Sequence, residues 1–469
     1  MNKATGYGKK SFADQLFLFG ELFLLLASSF IASYLLHQFV TPIPFDVRLI
    51  NAILFAAVVM LCALSVGLYD QQLRESHGGI LKRVLITVLF SAFLLEVVLF
   101  NLFSSIAINV WYMLLACGIA IFFLSSFRAV FHYHDITSIS RRRVLILGAG
   151  ERASIIEKRM RRTVDRRNFE IVGFVRIEGD KEGVLKNETI LDLNVQEELF
   201  QFAMENAIDQ MVIACDERRN MLPVEHLFKC KTRGIDVVEI LDFIEQETGQ
   251  IAVNLIYPSW VIYSNGFDSK KWLKTNLDYR LNFLLALFVL ALTWPIMLIT
   301  AILIYLEDGR RTGASVFYKQ VRVGIDGKPF HIIKFRSMGP DAEADGAKWA
   351  SKDDDRVTRV GRVIRKYRID ELPQLFNVFR GEMGFVGPRP ERPEFVCELE
   401  KDIPYYAQRH NVKPGLTGWA QLKYPYGSTT EDALEKLKFD LYYIKHRSLL
   451  LDLVILVRTV EIVLFGKGR

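Results

Sequence analysis

Four apolar runs, at roughly 14–39, 49–69, 84–103 and 107–127, constrain this chain more than any other feature. Each is close to the roughly 20 residues that a helix needs to cross a hydrocarbon core. Inside lipid every backbone N–H and C=O must be satisfied within the segment, so runs of this kind fold as helices. The links between them carry the orientation. Lys3, Lys9 and Lys10 precede the first run, Arg74, Lys82 and Arg83 separate the second from the third, and Arg141, Arg142 and Arg143 follow the fourth. The link at 104–109 has no basic residue and the first link has only Arg48. Basic loops stay on the inner side, so both ends of a four-helix transmembrane bundle over 1–132 are expected in the cytoplasm. Glu21 and Glu96 lie inside these runs. An intramembrane acid is a functional candidate by default, but the facing runs hold no basic residue, and plain packing or snorkelling is the preferred reading.

A fifth apolar run, Leu281–Leu306, is interrupted at Trp294-Pro295. Lys270, Lys271, Lys274 and Arg280 precede it, and Arg310, Arg311, Lys319 and Arg322 follow it. A crossing helix would put one of these basic flanks outside. Proline removes a backbone hydrogen bond and bends a helix. The pattern predicts a re-entrant helix over about 281–306 that breaks at Pro295 and returns to the same face. A kinked spanning helix is the alternative.

The rest of the chain is not membrane-like. Of 469 residues, 51% are apolar and 24% charged, a mixture that joins membrane segments to soluble domains rather than making a pure transporter. The net charge of +6 suits an anionic leaflet or phosphorylated substrates, and equally a positive-inside bias. Five scattered cysteines without CxxC spacing speak against a disulfide scaffold or a zinc site and suit a reducing compartment. The first run leads into further membrane segments, not into a small-residue cleavage site, so no cleavable signal peptide is expected.

Residues 140–265 read as a soluble α/β domain. Short apolar strands are expected at 144–147, 170–175, 210–214 and 235–240, with helical stretches between them. This is a Rossmann-like order. Gly148-Ala-Gly150-Glu-Arg-Ala153 follows the first strand, and such a GxGxxA turn lets backbone approach a pyrophosphate. However, Val175 is followed by Arg176 and Ile177, with Glu178 late for the acid that holds a ribose, and no Tyr-xxx-Lys pair is present. A structural or regulatory domain is preferred over dinucleotide chemistry. The membrane-tethered NAD-dependent nucleotide-sugar oxidoreductase or dehydratase stays as the rival function.

Within a C-terminal domain expected over residues 275–469, the stretch 307–469 is dense in arginine, lysine, glycine and proline. Lys319, Arg322, Lys334, Arg336, Arg365, Arg389 and Arg409 are among the cations suited to a diphosphate, since arginine meets phosphate oxygens in a bidentate fork. They sit within Gly/Pro motifs rather than a basic stripe or an aromatic platform, which argues against nucleic acid. Asp370-Glu371-Leu-Pro373-Gln374 reads most simply as a helix N-cap with an acidic first turn. The chemical alternative is a carboxylate that attacks phosphorus to form an acyl phosphate, with magnesium drawing charge off the leaving nucleotide. The apolar stretch Leu449–Phe465, broken by Asp452, Arg458 and Glu461, suggests an interfacial helix or a buried one.

Six ordered blocks carry a resemblance. They are Gln320-Val-Arg-Val-Gly324, Lys334-Phe-Arg336-Ser-Met338, Asp370-Glu371-Leu-Pro-Gln374-Leu-Phe-Asn377, Gly381 through Glu391, Lys413 through Gln421, and Asp440-Leu-Tyr-Tyr. The stretch 278–469 resembles the catalytic unit of the polyprenyl-phosphate glycosyl-1-phosphate transferases, the bacterial sugar transferases. The whole chain resembles their large form, and most nearly the exopolysaccharide transferases of exosortase/PEP-CTERM systems. The resemblance implies a mainly α catalytic domain and transfer of a sugar-1-phosphate from a UDP-sugar to undecaprenyl phosphate with release of UMP. The implied location is the bacterial inner membrane, multi-pass, with a cytoplasmic active site. Magnesium is the implied cofactor. The implied partners are the UDP-sugar, undecaprenyl phosphate and the lipid bilayer, without nucleic acid and with a homodimer left open. Asp370 would be the nucleophile and a magnesium ligand, with Glu371 supporting it. Arg365 and Arg389 would bind phosphate, with Lys334, Arg336, Gln374 and Arg409 also on the substrate side, and Pro295 would break the re-entrant helix. The family's Lys-Arg-x-x-Asp entry to that helix is replaced by Asp278-Tyr279-Arg280-Leu281-Asn282.

Overall fold

The computed structural model describes residues 12–37, 44–65, 68–69, 77–96, 110–133, 141–160, 166, 169–181, 185, 190–191, 193–217, 222–257, 260, 267, 272–342, 355–424, 427 and 429–464. Lys3, Lys9, Lys10, Arg74 and the 104–109 link lie outside them. The chain divides into two compact units, Met1–Thr248 and Gly249–Arg469.

The first unit opens with four apolar helices: α1 Phe12–His37, α2 Phe45–Ser65, α3 His77–Leu94 and α4 Val110–Tyr133. Within α1, α2 and α4, the stretches 17–36, 45–64 and 110–130 are long and apolar enough to cross a membrane. In α3 the apolar part, Arg83–Leu94, is shorter. Residues 97–103 of the third apolar run are outside the described set. Ala32, Ala56, Ala63, Ala116 and Ala120 are buried between the helices, where small side chains let backbones approach. Phe19, Phe23, Leu85, Leu89, Leu114 and Phe122 face outward, as a lipid-facing surface requires.

Glu21 departs from the expectation. It is fully buried and does have a basic partner, because Arg128 at the far end of α4 reaches back to it. The Arg128 Nε lies 2.6 Å from Oε1, Nη2 donates to Oε2 at 2.9 Å, and the Tyr69 hydroxyl donates to the same oxygen. Arg128 falls just past the fourth apolar run, so scanning the runs alone misses it.

Beyond the helices lies a five-stranded parallel sheet of β1 Arg142–Leu147, β2 Phe169–Val175, β3 Ile190–Leu191, β4 Gln210–Ile213 and β5 Asp236–Glu239, in the order β3-β2-β1-β4-β5. The central β1 buries Val144–Leu147 completely, as a strand covered on both faces must. Helices α5 Glu151–Arg159, α6 Leu199–Glu205, α7 Val224–Thr232 and α8 Ile240–Thr248 complete this part.

The second unit is built around α9, Trp272–Ile304, a single 33-residue helix that runs through Pro295. Pro295 has no N–H to give to the Ala291 carbonyl, yet it does not end the helix. Asp278, Ala286, Met297, Thr300 and Ile304 form one buried stripe along it, while Leu284, Leu287, Phe288, Leu292, Ile296 and Ile299 are exposed. A five-residue π turn, Tyr305–Gly309, follows. Then come the antiparallel hairpin β6 Phe317–Val323 and β7 Pro329–Phe335, the helices α10 Arg359–Lys366 and α11 Leu375–Phe379, and β8 Gly384–Val386. The unit ends with α12 Pro393–Asp402, β9 Gly415–Thr417, α13 Trp419–Lys423, α14 Thr430–His446 and α15 Leu449–Leu464. Strands β8 and β9 pair in parallel, and Gly415 is needed there because a Cβ would sit 2.1 Å from the Gly387 nitrogen. Ala286 packs with Phe330, Ile332, Leu375 and Val378, and Met297 and Ile304 pack with Phe335 and Ile364. The helix is therefore part of the core of its own unit.

Candidate active site

Three elements converge on the Asp370-Glu371 pair. The first is β7, which carries Lys334 on the same face as the buried Phe330 and Ile332. The second is α10. Its N-terminus is capped by the Thr358 hydroxyl, which accepts from Gly361 N at 2.9 Å, and by Glu307, which accepts from Arg359 N at 2.8 Å. Its last turn delivers Arg365. Arg368 then takes a left-handed conformation, φ 55°, and reverses the chain into a 3-10 turn, Ile369–Gln374. Asp370 is thus inside the first turn and not the N-cap. The third element is the Gly387-Pro-Arg389-Pro loop after β8.

Glu371 is the anchor of this arrangement. Its Oε1 accepts from Arg389 Nη2 at 2.8 Å and lies 3.5 Å from Lys334 Nζ, and its Oε2 lies 3.3 Å from Arg368 Nη1. Burial would raise its pKa, but Arg389, Lys334 and Arg368 outweigh that and hold the carboxyl well below the usual range. Lys334 is pushed down to about 8 by burial, with Glu371 opposing the change. Asp370 moves the other way. Burial and then the Glu371 charge raise it to about 6, against the pull of Lys334, Arg365 and Arg389. Among the described residues, the Asp370 carboxylate accepts no hydrogen bond. One acid is locked by three cations. Its neighbour keeps its oxygens available inside the same positive field.

The other residues singled out from the sequence fall in two groups. Gln374 is buried one turn after Asp370, and Arg365 stays close enough to act on Asp370 electrostatically. Arg336 and Arg409, in contrast, are engaged elsewhere. Arg336 makes a bidentate pair with Asp308, both bonds 2.6 Å, and donates Nε to Ser315 O at 2.8 Å. Arg409 pairs with buried Asp440 at 2.9 Å. The sequence does not single out Arg368, Asn377, Asp308 or Asp440 as site residues. Arg368 has a local signal in its i,i+3 spacing from Glu371, and Asn377 and Asp440 lie at the ends of two of the motif blocks, whereas Asp308 has none. Among the described residues no group of three metal-ligating side chains occurs.

The GxGxxA turn of the first unit is filled from within. Asp216 accepts from Glu151 N and Arg152 N, both at 2.9 Å, and Asp180 accepts from Ala149 N at 2.8 Å. Asp180 also accepts from Asp216 N at 3.0 Å. Gly150 is required because a Cβ there would lie 2.0 Å from Asp216 Oδ2. Two carboxylates use the donors that a pyrophosphate would need.

The sequence pattern of the bacterial sugar transferases matches residues 270–466. UDP-N-acetylgalactosamine-undecaprenyl-phosphate N-acetylgalactosaminephosphotransferase of Aeromonas hydrophila is 40% identical over 242 residues, 52% of this chain and 55% of that relative. Undecaprenyl-phosphate glucose phosphotransferase of Komagataeibacter xylinus is 33% identical over 352 residues, 72% of this chain and 62% of the relative. UDP-glucose:undecaprenyl-phosphate glucose-1-phosphate transferase of Caulobacter vibrioides is 42% identical over 182 residues, 38% of this chain and 67% of the relative. The chain spans little more than half the length of the first two, at 55% and 62%.

Proposed function

The chain belongs to the bacterial sugar transferases, and from that membership we propose that it moves a sugar-1-phosphate from a UDP-sugar to undecaprenyl phosphate, releasing UMP, and so starts an exopolysaccharide. The observation that carries this reading is the contrast between Glu371, fixed by Arg389, Lys334 and Arg368, and Asp370 beside it, which no described residue hydrogen-bonds. An Asp370 oxygen attacks the sugar-bearing phosphorus, and the bond from that phosphorus to the UMP oxygen breaks. The resulting acyl phosphate is attacked at the same phosphorus by an oxygen of the lipid phosphate, and the Asp370 carboxylate leaves unchanged. Arg365 and Arg389 steady the phosphate oxygens. Magnesium takes one or two carboxylates together with substrate phosphates rather than an all-protein cage, and Asp370 would offer such a carboxylate. When bound, the ion would draw negative charge off the diphosphate.

In this reading α9 is re-entrant and the site lies at the cytoplasmic face of the bacterial inner membrane. Two observations support it. The buried stripe of α9 runs from Asp278 to Ile304 and packs on its own unit. The helix and the π turn after it are tied to that unit, Asp278 to Arg447 at 2.7 Å and Asp308 to Arg336 at 2.6 Å. A fully crossing helix would set these two ion pairs, both made to the same unit, on opposite sides of the membrane. The order β3-β2-β1-β4-β5 supports a Rossmann-like middle domain, and the filled turn supports a structural use for it.

The test is UMP release by membranes given undecaprenyl phosphate, magnesium and UDP-glucose, UDP-galactose or their N-acetyl forms in turn. Asp370→Asn is expected to abolish release and the phospho-sugar adduct on its peptide, while Cys397→Ser leaves both unchanged. Full activity in Asp370→Asn would end the covalent mechanism.

A further inference from the structure

The loop that carries Arg389 is held carbonyl by carbonyl. Pro388 O accepts from Gly415 N at 3.0 Å, Arg389 O from Arg409 Nη2 at 2.9 Å, Pro390 O from Arg322 Nη1 at 3.1 Å, and Glu391 O from Val323 N at 2.9 Å. Pro388 and Pro390 on either side restrict the backbone of Arg389 further. Of these four donors, Arg409 is the one that bonds Arg389 itself. Its side chain is 6% exposed, with Nη1 donating to the Tyr406 hydroxyl at 2.6 Å and Nη2 to Asp440 at 2.9 Å. Both of its Nη nitrogens are thus engaged by protein acceptors.

We propose that Arg409 is a positioning residue, not a substrate ligand: paired with Asp440, it fixes the backbone of Arg389 so that the Arg389 guanidinium meets Glu371 and the phosphate oxygens beside Asp370. This deepens the transferase reading and rests on it. A lysine at 409 keeps the charge but loses the planar fork that bonds Tyr406, Asp440 and the Arg389 carbonyl together. Misplacing a catalytic group by about an ångström costs up to about a hundredfold in rate. A residue that acts only through Arg389 must lose its effect when Arg389 is gone.

The experiment is a double-mutant cycle on the full chain in membranes, measuring UMP release and thermal unfolding together. Arg409→Lys is expected to lower turnover by about tenfold to a hundredfold with Arg389 present. In an Arg389→Ala background the same change is expected to alter it by less than about twofold. Equal losses in both backgrounds would overturn the proposal, as would unchanged turnover in Arg409→Lys. If Arg409→Lys does not fold, Tyr406→Phe decides the matter: it removes one hydroxyl, and the loss it causes must likewise vanish without Arg389. A wild-type chain that releases no UMP from any UDP-sugar would fail the functional reading instead. The cycle is then read on UDP affinity, where additive losses would overturn the positioning role.

Discussion

Asp370 and Glu371 are neighbours in sequence with opposite duties, and the difference comes from what each side chain meets. Glu371 is a hub whose charge is matched by three cations. The geometry of that hub depends on a neutral residue, Asn377. Its side chain is completely buried. Its Nδ2 donates to His331 O and to Glu382 Oε2, each at 2.7 Å, and its Oδ1 accepts from Ile333 N at 3.1 Å. It therefore fastens the strand of Lys334 to the helix that follows Asp370 and Glu371. Asn377→Ala would leave a buried N–H, a carbonyl and a carboxylate each short of a partner. A cost of about 3 kcal/mol is expected, read as a lower unfolding temperature in detergent. An Asn377→Ala variant as stable as wild type would mean that the strand and helix are held together by apolar packing alone.

At the scale of elements, α9 is the piece on which topology turns. Arg280 and Arg311 flank its apolar stretch and are both exposed. If the helix enters and returns, cysteines placed there react from one side of the membrane. In a Cys397→Ser background, Arg280→Cys and Arg311→Cys are expected to be labelled by a membrane-impermeant maleimide only in inside-out vesicles. Labelling of the two from opposite sides would make α9 a kinked span. The elements themselves were largely legible beforehand. Uninterrupted apolar length marked the membrane helices, and short apolar runs marked β1, β2, β4 and β5. The two-residue β3 left no such trace, and the π turn after α9 has no sequence signature. Asp370, Glu371 and the Arg389 loop stand out from local sequence alone, and the fold brings them together. The site was not legible where the partner is distant. Arg336 and Arg409 look like phosphate binders by residue type, but their partners Asp308 and Asp440 lie 28 and 31 residues away, and only the fold brings them together.

At the scale of the molecule, the proposed chemistry belongs to the second unit, and the extent of that unit differs from the extent of the family's sequence pattern. The pattern begins at residue 270, whereas the compact unit begins at Gly249. The described residues between these two boundaries are tied to the rest of the unit. Ile251 N donates to Lys438 O at 3.0 Å, the Trp419 indole donates to Gly249 O at 3.0 Å, and Lys445 stands 4.6 Å over Trp260. Ile251, Val253 and Leu255 are buried as well. Each such side chain contributes about 1.5 to 3 kcal/mol on burial, a large share of the stability an ordinary domain has. These residues lie against α13 and α14, and α14 carries Asp440. Chains cut to start at residue 249 and at residue 270 separate the two boundaries. The longer one is expected to keep UMP release near the full-length rate, since every residue of the proposed site and the α9 anchor are retained. The shorter one is expected to unfold at a markedly lower temperature and to lose most of its turnover, although it contains the whole family pattern. Equal stability of the two would make the 249–260 strap an ornament, and loss of activity in both would show that the first unit takes part in the reaction.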